Sequence, residues 1–342
     1  MSVAREFFES ALARHRSAVD AHGAVERCLH VGGSAMRLIF AGSAMVPQVM
    51  PALSHLASTD DPADLTVCVW DTASTGVPLP PAPWSREAFG TLGEIEGFRD
   101  RYYAVFQPTG VLSVIDLTDR IAIHWNASAE TLPSEETTAP LRVIFHAWLA
   151  HVGLCPLHGA AVGFADRAAL MVGRGGSGKS TSSLASLGSG LDFLGDDFCA
   201  LGVRDQITVH SLYSTAKVSH RELSAMTFAQ PWIGGRPLTD HRSACFLARH
   251  IPARLPNRAP VRAVLLPRVT PGQDETTLAP ASRAEAFLAL APTSAALLPR
   301  WSPVILSRFG AVVRDTPAYW LRLGRDRGRV AAPIRRLLES LA

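Results

Sequence analysis

The sequence predicts an α/β protein of two domains: a mainly β (α+β) amino-terminal domain over 1–140 and a carboxy-terminal strand, loop, helix, strand domain over 141–342. Three observations carry this. At 342 residues the chain exceeds what one hydrophobic core usually serves. Its amino-terminal part breaks into short β-branched or aromatic runs bounded by Gly, Pro or Asp. At residue 173 an apolar run passes directly into a glycine-rich stretch that opens a helical pattern. With 47% apolar and 18% charged residues, the chain has ample material for cores and no polar segment of domain size.

The elements follow in order. Residues 1–23 read as an amphipathic helix, because Arg5, Glu6, Glu9 and Arg14 interrupt its apolar residues. The runs 35–41, 65–70, 102–107, 111–116 and 121–125 read as strands, and 47–58 as a helix. The stretches 60–64 and 78–83 read as loops from their Asp and Pro content. Residues 128–140, acidic, Thr-rich and without an apolar period, read as the linker between domains. Beyond it, 158–164 and 168–172 read as strands joined by a turn at 165–167. Residues 178–187 form a helix stopped by Gly188 and Gly190, and strands follow at 191–194 and 198–203. Strands at 207–212 and 261–266 and helices at 282–290 and from Pro333 complete the chain, with no internal repeat.

The 33 basic and 30 acidic residues leave a net charge of +3, so composition points to neither a nucleic-acid nor a membrane partner. Only two of the basic residues are lysines, Lys179 and Lys217; the rest are arginines. Five scattered cysteines with no C-x-x-C pair fit a reducing cytoplasm rather than a disulfide framework or zinc ribbon. The charged amino terminus does not read as a signal peptide. The most apolar region, 141–164, is broken by Arg142, His146, His151, Pro156 and His158 and is too interrupted to span a bilayer. His146, His151, Cys155 and His158 are borderline metal ligands in a short span, but no regular element presents all four together.

Gly173-Arg174-Gly175-Gly176-Ser177-Gly178-Lys179-Ser180 matches G-x-x-x-x-G-K-[ST] and lies between strand and helix, where a phosphate loop must lie. Gly173, Gly175, Gly176, Ser177 and Gly178 would turn backbone N–H groups toward a polyphosphate, and the helix N-terminus through Thr181 adds partial positive charge. Lys179 would reach the β and γ phosphates. Ser180 offers a hydroxyl to Mg²⁺. The same glycines also satisfy G-x-G-x-x-G, yet a dinucleotide fold does not need the Lys-Ser pair that follows. Asp196-Asp197 closes an apolar strand after Gly195, and strand alternation should send the two carboxylates in different directions, one toward Mg²⁺ and one toward an acceptor hydroxyl. A lone His158 is by itself more often structural. Lys217, a lysine where surface cations are otherwise arginine, reads as a point charge for a phosphate. Arg221 could act likewise, whereas Arg322, Arg325, Arg327 and Arg329 read as a solvated face.

HGAAVGF at 158–164, GRGGSGKST at 173–181 and LGDDF at 194–198, in that order, resemble the catalytic domain of the HPr kinase/phosphorylase family and its HPr-kinase-like relatives. These relatives include kinases of lasso-peptide precursors, and the fold is related to phosphoenolpyruvate carboxykinase. The resemblance covers about residues 142–342. It implies an ATP- and Mg²⁺-dependent serine kinase. His158 and Asp196 would assist deprotonation of the acceptor, Asp197 with Ser180 would hold the metal, and Lys179 would keep its phosphate role. A homo-oligomer is implied as well. The stretch Tyr213 to Met226 has no E-[ILV]-R-G-type run, which removes HPr and the phosphorylase reaction from what carries over. The expected partner is a hydroxyl acceptor on a peptide, a protein or a small molecule. The alternative from another class is a nucleotide-binding regulatory module without phosphotransfer.

Overall fold

The computed structural model describes residues 2–59, 62–98, 101–297 and 303–341. Asp60 and Asp61, part of the loop read at 60–64, lie outside them. The chain forms a mixed α/β structure of two compact units, Met1–Val152 and Gly153–Ala342.

In the first unit, α1 (Val3–His22) is capped by the Ser2 hydroxyl, which accepts from the Arg5 N–H, and is ended by Gly23 at φ 76°. Its stripe of Ala4, Phe7, Phe8, Ala11 and Ala18 packs into an apolar cluster with Trp70, Leu112 and Val114. The unit continues with β1 (Ala24–Val31), β2 (Ser34–Ala41), α2 (Val46–Leu53), β3 (Leu65–Asp71), α3 (Thr72–Thr75), β4 (Tyr102–Phe106), β5 (Val111–Asp116), β6 (Ile121–Asn126), α4 (Ser134–Thr138) and α5 (Arg142–His151). Within the described residues these strands form one sheet in the order β1-β2-β3-β6-β5-β4. It is mixed, since β3 runs parallel to both β2 and β6.

The stretch read as a linker is folded. Glu136 and Thr138 of α4 are buried, and Gln107 Nε2 donates to Glu136 Oε1 at 2.7 Å. The division between units falls after Val152 rather than near 140, because α5 buries Val143 through Leu149 and packs on β5. Composition marked this segment as polar but could not show that its polar groups are satisfied internally.

The second unit runs β7 (Cys155–His158), β8 (Ala160–Phe164), β9 (Arg167–Met171), α6 (Lys179–Gly188), β10 (Asp192–Gly195), β11 (Phe198–Gly202), β12 (Thr208–Ser211), β13 (Thr215–Ser219), α7 (His220–Ala225), β14 (Ile233–Thr239), β15 (Arg242–Phe246), β16 (Arg258–Val269), β17 (Thr277–Ala281), α8 (Arg283–Leu297), α9 (Pro303–Asp315), β18 (Ala318–Leu323) and α10 (Ala331–Ser340). Among the described residues, its large sheet has the order β10-β8-β9-β16-β12-β11-β7, with β18 and β17 joined through β16. The sheet is covered on both faces, so the middles of its central strands are continuously apolar and buried, Ala168–Met171 in β9 and Ala263–Leu266 in β16. Ala160, Val162, Ala169 and Met171 meet α6 and α10, while Ala161, Ala168, Leu170 and Val264 meet α8 and α9. A small sheet, β13-β15-β14, stands apart.

Two strand pairs turn a corner. The strand read at 158–164 is interrupted at Gly159: β7 pairs with β11, whereas β8 pairs with β9 and β10. Opposite it, β10 gives way to β11 through Asp196-Asp197. The Gly159 N–H donates to the Asp197 carbonyl at 3.1 Å, which ties the two breaks together.

Candidate functional site

The site has two halves, one local in sequence and one assembled from distant strands. In the local half, β9 runs into a loop whose Gly173, Gly176 and Gly178 have φ of 144°, 78° and 107°, conformations that L side chains avoid. Gly178 caps α6, and the helix begins with Lys179, Ser180 and Thr181. First-turn N–H groups have no acceptor inside the helix, so this end is a ready anion site. Lys179 is buried, and its Nζ donates to the carbonyls of Gly173 at 2.6 Å and Arg174 at 3.3 Å. Burial lowers its pKa, opposed by the charges of Asp196 and Asp197. The Ser177 hydroxyl is buried with no hydrogen-bond partner.

The assembled half is the corner. Gly195, at φ 154°, has no room for a side chain because a Cβ would lie 2.6 Å from Cys199 Sγ; Asp197 follows in the left-handed region at φ 73°. Asp196 is buried. Its Oδ2 accepts the Lys217 backbone N–H at 2.9 Å, and its Oδ1 has no hydrogen bond of normal geometry. Burial raises its pKa, and the neighbouring Asp197 charge raises it further; the Lys217 N–H and the nearby Ser180 hydroxyl partly offset this.

Asp197 points elsewhere. Its Oδ2 accepts from Lys217 Nζ at 2.5 Å, and its Oδ1 lies 3.3 Å from His158 Nδ1, close but too poorly aligned for a hydrogen bond. His158 ends β7, its backbone N–H donates to Ser294 Oγ at 3.1 Å, and its ring packs edge-on against Phe198. Burial lowers the His158 pKa to about 4, with Asp197 opposing and Lys179 and Lys217 reinforcing, so the imidazole is neutral at pH 7.

A cavity of about 650 Å³ joins the halves. Gly175, Gly176, Gly178, Lys179, Ser180 and Thr181 line one wall, and His158 and Asp197 line another. Asp196 does not line it. The small sheet and neighbouring segments contribute Ser219, Arg221, Glu222, Arg242 and Arg327.

Gly173, Gly175, Gly176, Ser177, Gly178, Lys179, Ser180, Thr181, His158, Asp196, Asp197 and Lys217, all singled out in the sequence, therefore meet in one place. Two expectations change. Lys217 is held by both aspartates rather than standing free for a phosphate. Arg327 is not on a solvated face, since its guanidinium pairs with Glu222 through bonds of 2.7 and 3.0 Å on the cavity wall. Arg242, Ser219 and Glu222 were not singled out, and no local spacing marks them, because strand pairing Lys217↔Ala244 and Ser219↔Arg242 brings them in.

No protein-family model matches the chain, and neither does any curated protein sequence. Among solved structures, the HPr(Ser) kinase/phosphatase from Coxiella burnetii is similar over 54% of this chain and 88% of its own, at 10% identity and a TM-score of 0.31. No helix among the described residues is long and apolar enough to cross a membrane.

Proposed function

We propose that the protein is an ATP- and Mg²⁺-dependent kinase that transfers the γ-phosphoryl group to a serine-type hydroxyl of a peptide or protein. The observation that carries this reading is the single cavity on which a Gly-Lys-Ser helix N-terminus and an Asp-His corner converge. The resemblance of the 158–164, 173–181 and 194–198 segments to HPr-kinase-like proteins supports it.

The donor set suits magnesium, which prefers oxygen ligands. Ser180 Oγ and the unspent, buried Asp196 Oδ1 would hold it. Bound there, the ion would neutralise charge on the β and γ phosphates. The geometry thus favours a reversal of the expected roles: Asp196 on the metal side and Asp197, the carboxylate that faces the cavity, as base. Lys179 and the loop N–H groups orient the triphosphate. The acceptor O–H gives its proton to the Asp197 carboxylate as the acceptor oxygen bonds to the γ-phosphorus; the bond from that phosphorus to the β–γ bridging oxygen breaks, and the nucleoside diphosphate leaves. Lys217 Nζ holds Asp197 in place, and the neutral His158 ring lies beside it.

The test is transfer of label from γ-labelled ATP with Mg²⁺ into the peptide, protein and metabolite fractions of a host extract. Wild type should label the peptide or protein fraction, and Lys179→Ala and Asp197→Asn should not. Binding of ATP without label transfer to any fraction would replace this reading with a nucleotide-gated regulatory module; label in the metabolite fraction alone would make the acceptor a small molecule.

A further inference from the structure

A second cavity, of about 780 Å³, opens on another side of the glycine loop. One wall is the loop itself from Val172 to Ser177. The others are the end of β16 at Leu266–Val269, residues Glu285, Leu288 and Ala289 of α8, and Trp320 of β18. The character of this surface is apolar and aromatic. Leu288 and Val269 are 69% and 54% exposed, among the most exposed large apolar side chains described. Trp320 is half-buried, and its Nε1 donates to Glu285 Oε1 at 3.3 Å, which anchors the indole in the wall. Arg174 and Arg268 flank the opening. The two cavities share Gly175, Gly176 and Val269.

We infer that this second cavity receives the nucleobase of the phosphoryl donor. The inference rests on the donor reading above. An occupant here touches the loop that binds the phosphates, and the group covalently tied to a polyphosphate in a nucleotide is a flat, apolar-faced base. An aromatic and aliphatic wall with arginines nearby suits such a ring. The acceptor belongs at the other end: its hydroxyl must reach Asp197 and His158, which line the first cavity and not the second. The base end of the donor is therefore placed away from the reacting end, with the loop between them.

Equilibrium titration with Mg·ATP and with Mg·tripolyphosphate, which lacks base and sugar, tests this on the full chain. Wild type should prefer ATP. Trp320→Ala should cut that preference about tenfold, the scale of one lost base–aromatic contact, and leave tripolyphosphate affinity unchanged. Leu288→Asn, uncharged and at an exposed helix position where folding is not at risk, should do the same. Lys179→Ala should weaken both ligands alike. A preference for ATP that survives both cavity substitutions, or equal wild-type affinity for the two ligands, would overturn the base site while leaving the phosphate site standing. Failure of wild type to bind either ligand would sink the donor reading itself, and the base site with it.

Discussion

Each unit buries a carboxylate beside a cation near a strand end, and the two are finished differently. In the first unit, Asp116 closes β5 with every acceptor position in use. Arg101 reaches it through Nε at 2.9 Å and through its terminal nitrogen at 2.6 Å, and the N–H groups of Thr118 and Asp119 donate to Oδ1 at 2.9 and 3.1 Å. In the second unit, Asp196 and Asp197 are adjacent like charges that share one lysine, and one oxygen of Asp196 has no hydrogen bond of normal geometry. A saturated carboxylate holds a turn. One left unsaturated at the cost of burial and like-charge repulsion keeps capacity for something that arrives later.

The contrast can be broken by substitution. The largest effect expected is from Asp197→Asn, which should lower phosphoryl transfer by about 10²- to 10⁴-fold, the usual contribution of a general base. ATP affinity, followed by titration, should stay within a few-fold, and Asp116→Asn should leave the transfer rate alone. Equal losses from both substitutions would erase the distinction between the two carboxylates.

Next is Lys217, whose backbone and side chain grip the pair. Lys217→Met should reduce turnover about a hundredfold with little change in ATP affinity, and Lys217→Arg should recover only part, because a planar fork does not replace a compact ammonium at 2.5 Å. A rise in the KM for ATP at constant kcat would instead place Lys217 on a phosphate.

The corner itself can be probed through stability. A Cβ at Gly159 would lie 2.7 Å from Leu157 Cδ1 and 3.0 Å from the Met171 carbonyl. Gly159→Ala should cost about 1–3 kcal/mol, read from the denaturant midpoint, because the backbone oxygen cannot yield as a side chain can. An unchanged midpoint would mean that the corner is not tightly packed.

The smallest effect belongs to Asp116. Burial alone would raise the Asp116 pKa, but the Arg101 hydrogen bonds and the backbone N–H groups of Asp119 and Thr118 outweigh it and hold the pKa below the ordinary value. A depressed folded pKa means that Asp116 contributes stability present above the unfolded value, about 3.9, and lost as pH falls through the folded one. The stability gap between wild type and Asp116→Asn should therefore be constant from neutral pH down to about pH 5 and close at lower pH. A gap that widens on acidification would reverse the sign.

The parts of the site differ in how far residue order reveals them. Residues 173–181 were legible because strand, loop, cap and helix are consecutive, so residue types and spacing describe the geometry directly. Asp196-Asp197 was legible as a pair but not as an arrangement. Strand alternation would send the two carboxylates in different directions, but Asp196 and Asp197 lie between strands, and their directions come from Gly195 and from the left-handed Asp197. His158 was placed at the start of a strand where it ends one, because a single glycine break cannot be told from a strand glycine without the partner strands. Residues 215–219, 233–239 and 242–246 were not read as strands at all: β14 is mostly exposed and carries Gly234, Gly235 and Pro237, and sheet pairing rather than pattern makes it a strand.

Residue order alone carries the mixed α/β class, the glycine loop with its lysine and serine at a helix start, and the set of His158, Asp196, Asp197 and Lys217 as chemistry-bearing residues. Long-range packing sets which carboxylate faces the cavity, the hold of Lys217 on both aspartates, the place of Arg242 and Arg327 on the wall, and the extent of the first unit through Val152. The difference comes from distance along the chain. Helix caps and glycine turns are set by neighbours within a few residues, whereas carboxylate direction, burial and ion pairing are set by strands that lie tens of residues away.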